Sequence, residues 1–407
     1  MEEIDVPSYF LCPISMELMR DPVIVSTGIT YDRESIERWL FSCKNNNCPV
    51  TKQVLLSDTD PTPNHTLRRL IQAWCTLNTS HGIERIPTPK PQVDKTQITK
   101  LLNDAKKSPN MQKKCLQRLK SIANASETNK KHLEESGTVE FLASIIRKNE
   151  STIVETKEEA LYLLHHLETS ELSRKKLVNS DNGEFIGGLI HVMKCGSYQS
   201  RAYAIMIMKS IFEVADPSQL IGVVPELFIE IVHILGDNKI SKQASRAALK
   251  LLVEICPWGK NRVKAVEAGV VSILIELLLD LDKLERRDCE LIMVVLDRVC
   301  GCAEGRAEFL KHGAGLAVVS KKIIRVSHVV TDRAVRILCS IARFSATSRV
   351  LQEMVQVGVV TKLCFVLQVD TGLKTKERAK EILKLHSRVW KNSTCVPPHL
   401  LSFYPSP

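Results

Sequence analysis

Six glycines, Gly137, Gly183, Gly222, Gly269, Gly313 and Gly358, recur at intervals of 39 to 47 residues, each between a segment carrying Leu or Val and an apolar run. A supersecondary unit of that length cannot bury its own apolar face, so successive copies must stack into a solenoid. From Ile98 onward the periodicity is helical and β-hairpin signals are scarce. Glycine between two helices suggests a left-handed residue that lets the chain turn sharply, and this is expected at all six places. The segments that follow, such as 141–146, 272–279 and 359–367, should bury against the neighbouring unit. A third helix in each unit should pack closely through Ala160/Leu164, Ala247/Leu251, Ala334/Leu338 and Ala379/Leu383. A last helix carrying Lys374 to Lys391 should form a basic, solvated cap.

The first 77 residues follow a different plan. Cys12-Pro13-Ile14-Ser15 and Cys48-Pro49-Val50-Thr51 stand where paired CxxC zinc ligands could stand, but the second partner in each is a hydroxyl residue. The candidate ligands Cys12, Cys43, Cys48, His65 and Cys75 contain no CxxC or CxxH spacing, so a tetrahedral zinc site is not expected, and no metal or cofactor is called for. Hydrogen bonds must hold this module instead, with Ser15 and Thr51 filling the places zinc would take. Val23–Val25 and Ile29–Tyr31 predict a hairpin turned at Ser26-Thr27-Gly28. Asp32 should cap a helix that places Ile36, Trp39 and Leu40 on one face, and Asn64 should cap a second. Cys12 and Cys48 read as small buried hydrophobes rather than nucleophiles.

Between the modules, Pro87-Thr88-Pro89-Lys90-Pro91 predicts an extended spacer. The division expected is therefore residues 1–77, a linker at 78–97, the solenoid at 98–391 and a tail at 392–407. The formal net charge is +10, yet residues 1–75 carry an acidic excess, so the basic excess lies in the solenoid. With aromatics at only 5%, no basic stripe interleaved with stacking side chains emerges, and nucleic acid is not an expected partner. The most apolar run, Gly269 to Leu279, is too short to span a membrane and contains Glu276. Thirteen scattered cysteines and an opening Met1-Glu2-Glu3 without a signal segment suggest a reduced, soluble, intracellular protein. Cys300-Gly301-Cys302 reads as incidental to a helix end. No GxSxG, HExxH or GxxxxGK(S/T) signature is present.

Taken together, Cys12-Pro13-Ile14-Ser15, Asp21-Pro22-Val23, Thr27-Gly28, Tyr31-Asp32-Arg33, Cys48-Pro49-Val50-Thr51 and Pro63-Asn64 resemble the U-box, the metal-free relative of the RING domain. The solenoid period is that of armadillo and HEAT units, and the order of the two modules resembles the plant U-box E3 ubiquitin ligases. That likeness continues through Gly82-Ile83-Glu84-Arg85-Ile86-Pro87 and Cys256-Pro257-Trp258-Gly259-Lys260-Asn261-Arg262 to Leu383-Lys384-Leu385-His386. It is strongest for compact members with a leading U-box, a group tied to immune and stress signalling. The units depart most from pattern around Asn179–Gly188 and Asp216–Pro225. The fold class expected is mainly α: a small α+β, zinc-free U-box followed by an all-α armadillo/HEAT-like solenoid.

The resemblance implies a ligase with no catalytic nucleophile and no covalent ubiquitin intermediate of its own. A ubiquitin-charged E2 enzyme would dock on Ile14, Trp39 and Pro49, with Cys12, Pro13 and Val50 shaping the loops, and Lys52 would occupy the place of a basic linchpin. A protein substrate would lie on the concave face of the repeats. Self-association through the U-box or the repeats is left open. The cytoplasm is the expected compartment, with the nucleus as a second. The competing classes are an armadillo adaptor without ligase activity and a basic nucleic-acid-binding solenoid.

Overall fold

The computed structural model describes residues 6–42, 45–55, 61–81, 83–84, 86, 93–107, 109–147, 154–167, 169–179, 183–280 and 285–390. The expected spacer at Pro87–Pro91 and the tail at 392–407 lie outside the described residues, as do Cys43 and Lys391. The chain forms two compact units. The first holds the described residues as far as Ile145 together with those of Glu155–Thr169, and the second holds those of Ile146–Val154 and from Ser170 onward.

In the first unit, β1 (Pro22–Ile24) and β2 (Thr30–Asp32) form the expected hairpin in antiparallel register, Val23 opposite Tyr31. Gly28 closes its turn at φ +81°, donating its N–H to the Val25 carbonyl at 2.8 Å. A short third strand not foreseen in the sequence, β3 (Thr62–Pro63), pairs with the other edge of β1, giving the order β2-β1-β3. Helix α1 (Arg33–Glu37) follows β2 and runs on as a wider turn over Arg38–Ser42. Helix α2 (His65–Leu77) starts at Asn64, whose side chain accepts from Leu67 N at 3.0 Å, as expected. The core of this module gathers Phe10, Met19, Val23, Tyr31, Ile36, Leu55 and Ile71, with Ile14, Trp39 and Trp74 packed at its edge.

Asp32 sits at the start of α1, but its side chain makes no capping bond. Its Oδ1 instead accepts from Arg20 N at 2.8 Å and Asp21 N at 2.9 Å. A carboxylate there satisfies two loop donors that have no backbone partner among the described residues, which outweighs one helix cap.

Helices α3 (Lys95–Lys107) and α4 (Pro109–Ala123) lead into the repeats. The repeats run as triads: α5 (Glu127–Glu135), α6 (Thr138–Arg147) and α7 (Val154–His166), then α8 (Glu171–Asn179), α9 (Glu184–Cys195) and α10 (Tyr198–Phe212). Next come α11 (Pro217–Ile221), α12 (Pro225–Gly236) and α13 (Lys242–Ile255), followed by α14 (Asn261–Glu267), α15 (Val270–Leu279) and α16 (Arg286–Val299). The last are α17 (Ala303–Lys311), α18 (Gly315–Lys322) and α19 (His328–Phe344), with α20 (Ser348–Gln356), α21 (Val359–Gln368) and α22 (Leu373–Leu385), closed by α23 (Ser387–Trp390). The shortened α11, started by an Asp216/Gln219 capping box and Pro217, accounts for the departure from pattern around 216–225.

Gly137, Gly183, Gly269 and Gly358 take the left-handed conformation, and Gly222 and Gly313 do not. At Gly313 the turn is spread over two residues, and the glycine required by space is Gly315, where a Cβ would strike the Phe309 carbonyl at 2.5 Å. The Ala/Leu pairs of the third helices are all buried. In the second unit neighbouring third helices are tied by ion pairs: Arg246 with Glu285 and Asp288, Arg333 and Arg336 with Asp297, and Arg343 with Glu381. The basic end of the chain is exposed at Lys374, Lys380, Lys384 and Arg388, as expected of a solvated cap, but it is not one helix. It breaks at His386, Arg378 pairs with Asp332 at 3.1 Å, and Trp390 is fully buried with its indole N–H donating to Leu351 O.

Cys300 ends α16 and Cys302 starts α17, its sulfur accepting from Gly305 N at 3.4 Å. Gly305 packs so closely that a Cβ would penetrate the Val299 carbonyl, which is backbone and cannot move aside alone. Gly305→Ala is therefore expected to cost about 3 kcal/mol and to lower the melting temperature of the repeats by several degrees. Gly137→Ala meets only the Glu140 carboxylate at 3.9 Å, an ordinary contact, and otherwise bears just the strain of its φ of +81°, so its cost is about 1 kcal/mol. A calorimetric scan in which the two variants melt together would refute that ranking. Among the described residues, no single helix is long and apolar enough to cross a membrane.

Candidate functional site

The two Cys-Pro loops are built on one plan. Cys12 N donates to Glu17 O and Cys48 N donates to Gln53 O, both at 2.8 Å. The fifth residue of each loop donates back to the cysteine carbonyl, Met16 N to Cys12 O at 2.8 Å and Lys52 N to Cys48 O at 2.9 Å. So tight a ring puts that fifth residue in the left-handed region, with φ +57° at Met16 and +60° at Lys52. Neither is a glycine, so each loop holds about 1 kcal/mol of strain.

Both sulfurs are fully buried and both are hydrogen-bonded. Cys12 Sγ accepts from Asp32 N at 3.3 Å. Cys48 Sγ lies 3.0 Å from the Tyr31 hydroxyl and takes further donors from Thr27 Oγ1 at 3.4 Å and Thr51 N at 3.5 Å. The Tyr31 hydroxyl in turn accepts from Val50 N at 3.3 Å. Burial pushes the Cys48 thiol up, but hydrogen bonds from Thr27, Thr51 and Tyr31 together outweigh it and bring the thiol down to about 6. Burial, then the contact with Cys48, pushes the Tyr31 phenol well up. Cys48 is thus a hydrogen-bond hub, more than the small hydrophobe expected. Ser15 takes no such part: its exposed hydroxyl reaches only Glu17 N, at 3.4 Å. Of the two hydroxyl residues expected to take the place of zinc ligands, Thr51 does hydrogen-bond Cys48 and Ser15 does not, and the two inward-pointing sulfurs with the Tyr31 phenol do the rest.

The loops are anchored on adjacent residues of β2, one on Tyr31 and the other on Asp32, which brings them to the same end of the module. Pro13 is exposed, Ile14, Trp39 and Pro49 are half-buried, and Val50 is 51% exposed. Trp39 is fixed by its indole N–H donating to Asn47 O at 2.9 Å, one residue before the second loop. Half-buried apolar side chains with locked positions are what a docking surface requires, since little ordering entropy remains to be lost on binding. Lys52 is exposed beside them.

Beneath these loops lies a cluster that the sequence did not reveal. Arg33 is 9% exposed and donates Nε to Asp21 Oδ2 at 2.6 Å, while Arg68 of α2 donates to Asp21 Oδ1. Arg33 N also donates to Asp21 O at 2.9 Å, and Arg33 Nη1 lies 3.5 Å from Glu37, which is 2% exposed. These charges cross-link the loop after Met19, α1 and α2, the task performed in a zinc-bound fold by the metal. No simple signal marks them, because a charged residue in a sequence reads as solvated until its partner is known.

Comparison with known proteins places this geometry. The U-box domain family matches residues 6–80, and the plant U-box protein ARM repeat region matches residues 97–405. The chain is 58% identical to the E3 ubiquitin-protein ligase PUB23 of Arabidopsis thaliana, over 99% of this chain and 98% of that one. It is 54% identical to the Arabidopsis ligase PUB22 over the full length of both. Among solved structures, UNC-45 from Drosophila melanogaster superposes with a TM-score of 0.56 at 16% identity, over 83% of this chain and 40% of that one, a likeness of fold alone. With both modules matched in order and relatives alike from end to end, the chain belongs to the plant U-box E3 ubiquitin ligases with C-terminal armadillo repeats.

Proposed function

We propose that Ile14, Trp39 and Pro49 form the surface on which a ubiquitin-charged E2 docks, with Cys12, Pro13 and Val50 setting the shape of the two loops. The observation that carries this reading is the shared frame of the loops: one hydrogen-bond plan, used twice, anchored on adjacent residues Tyr31 and Asp32. The chain acts by holding the E2 thioester near an acceptor lysine, so the gain is one of proximity and orientation. The E2 supplies the reactive cysteine. In this reading the armadillo repeats hold the protein substrate, and the chain works in plant stress or immune signalling, in the cytoplasm with the nucleus as a second compartment.

The test is a reconstituted reaction with E1, a panel of E2 enzymes, ubiquitin and ATP, read as self-ubiquitination. A ladder with a subset of E2 enzymes that weakens in Pro49→Ala and Trp39→Ala supports the docking surface. A ladder unchanged in both variants refutes it, and no ladder with any E2 returns the chain to the adaptor reading.

Lys52 is proposed as the linchpin, a cation that hydrogen-bonds E2 and ubiquitin together and favours the closed conjugate. Its left-handed backbone permits a clean test. Lys52→Gly suits φ +60° and should keep stability within about 1 kcal/mol of wild type, while ubiquitin discharge to free lysine drops. Lys52→Arg restores a cation with planar donors and should discharge at least as fast as wild type. Equal discharge by the glycine variant and wild type would remove Lys52 from this role.

A further inference from the structure

Glu37 ends α1, and its carboxylate turns away from solvent onto the first helix of the armadillo repeats. Oε2 accepts from Ser126 Oγ at 3.1 Å, Glu127 N at 3.2 Å and Thr128 N at 3.5 Å. Oε1 accepts from Thr128 Oγ1 at 2.6 Å and faces Arg33 Nη1 at 3.5 Å. The two N–H groups are orphan donors at the start of α5, where the helix dipole also favours an anion. Ser126 serves both sides: it takes Asn129 N at 3.4 Å as the cap of α5 and donates to Glu37. Thr128 is fully buried and Glu37 is 2% exposed, so water does not compete for these bonds.

From Glu37 the contacts continue towards the docking loops. Arg33 joins Glu37 to Asp21, Asp21 N and Arg20 N hold Asp32, and Asp32 N holds Cys12. Trp39 follows Glu37 by two residues on the same turn of chain. A carboxylate needed only for the U-box would be satisfied by Arg33 and solvent. This one spends four of its five donors on a segment some 90 residues away.

We propose that Glu37 is a positioning residue that latches the U-box to α5, so that a docked E2 is held in one orientation to the first armadillo unit. The consequence for the E2 rests on the docking reading above; the latch itself does not. A latched module delivers ubiquitin to a restricted set of lysines, and an unlatched one delivers it to more.

The test uses the full chain with Glu37→Gln and, from the other side, Ser126→Ala/Thr128→Val, which leaves every U-box residue in place. Three quantities are read: hydrogen exchange of the Glu127–Asn129 amides, discharge of charged E2 to free lysine, and the map of self-ubiquitinated lysines. Both variants should raise that exchange about tenfold, equivalent to about 1.4 kcal/mol, keep discharge within about twofold of wild type, and spread ubiquitin over more lysines. Combining them should add little, since both break one contact. An unchanged lysine map alongside faster exchange would overturn the positioning role. Discharge that falls in step with self-ubiquitination would place Glu37 inside the docking module instead. If Glu37→Gln fails to fold, the α5-side pair decides alone by the same outcomes. Ile14→Ala run alongside separates the two readings: wild-type discharge by that variant defeats the docking surface, while exchange and lysine map still report the latch.

Discussion

Ile14→Ala is expected to leave the protein folded and to remove most of its ligase activity. Ile14 sits half-buried at the edge of the U-box core, between Pro13 and Ser15, in a loop whose frame is made by backbone bonds of Cys12, Met16 and Glu17. Truncating it touches none of those bonds. A fully buried isoleucine would cost about 2–5 kcal/mol, and a half-buried one about 1–2 kcal/mol, so the melting temperature should fall by a few degrees only. The same side chain, if it anchors the E2, is worth at least about 2 kcal/mol of binding, or about thirtyfold in transfer at limiting E2. Parallel melting curves and discharge rates separate the two. A large loss of thermal stability would show that Ile14 serves the core.

Arg33→Ala should do the opposite, removing activity by removing the fold. It leaves Asp21 with one partner and Glu37 without its Arg33 contact, both in surroundings that exclude most water. Breaking such a pair by deleting one member costs about 3–5 kcal/mol, and a domain of this size has about 5 kcal/mol or little more to lose. Calorimetry should show the U-box transition lowered or absent while that of the second compact unit is kept, and added zinc should not restore it. A variant that melts as wild type would mean that packing of Tyr31, Ile36 and Ile71, rather than the charged cluster, replaces the metal.

Where the pattern is local, the sequence was informative. The Asn64 cap, the Gly28 turn and the buried Ala/Leu stripes of the third helices follow from spacing and backbone geometry, and the structure carries them. The two Cys-Pro loops were legible in the same way, whereas the docking roles of Ile14, Trp39, Pro49 and Val50 and the linchpin role of Lys52 come from the resemblance and are for the reconstituted reaction to decide. What could not be read is pairing across distance. Asp32 has the look of a cap and serves Arg20 and Asp21. Glu37 has the look of a solvated helix residue and is buried against α5. Gly313 matches the repeat, yet the crowding falls on Gly315. In each case the competing partner lies outside the window in which periodicity operates.

The measurement that bears most directly on a metal-free E2-docking module is discharge of ubiquitin from a charged E2 to free lysine by the full chain. Wild type and Ile14→Ala would be compared with and without a zinc chelator. Discharge indifferent to the chelator and reduced at least about thirtyfold in the folded variant is the expected result. Discharge abolished by the chelator, or undiminished in Ile14→Ala, would contradict it.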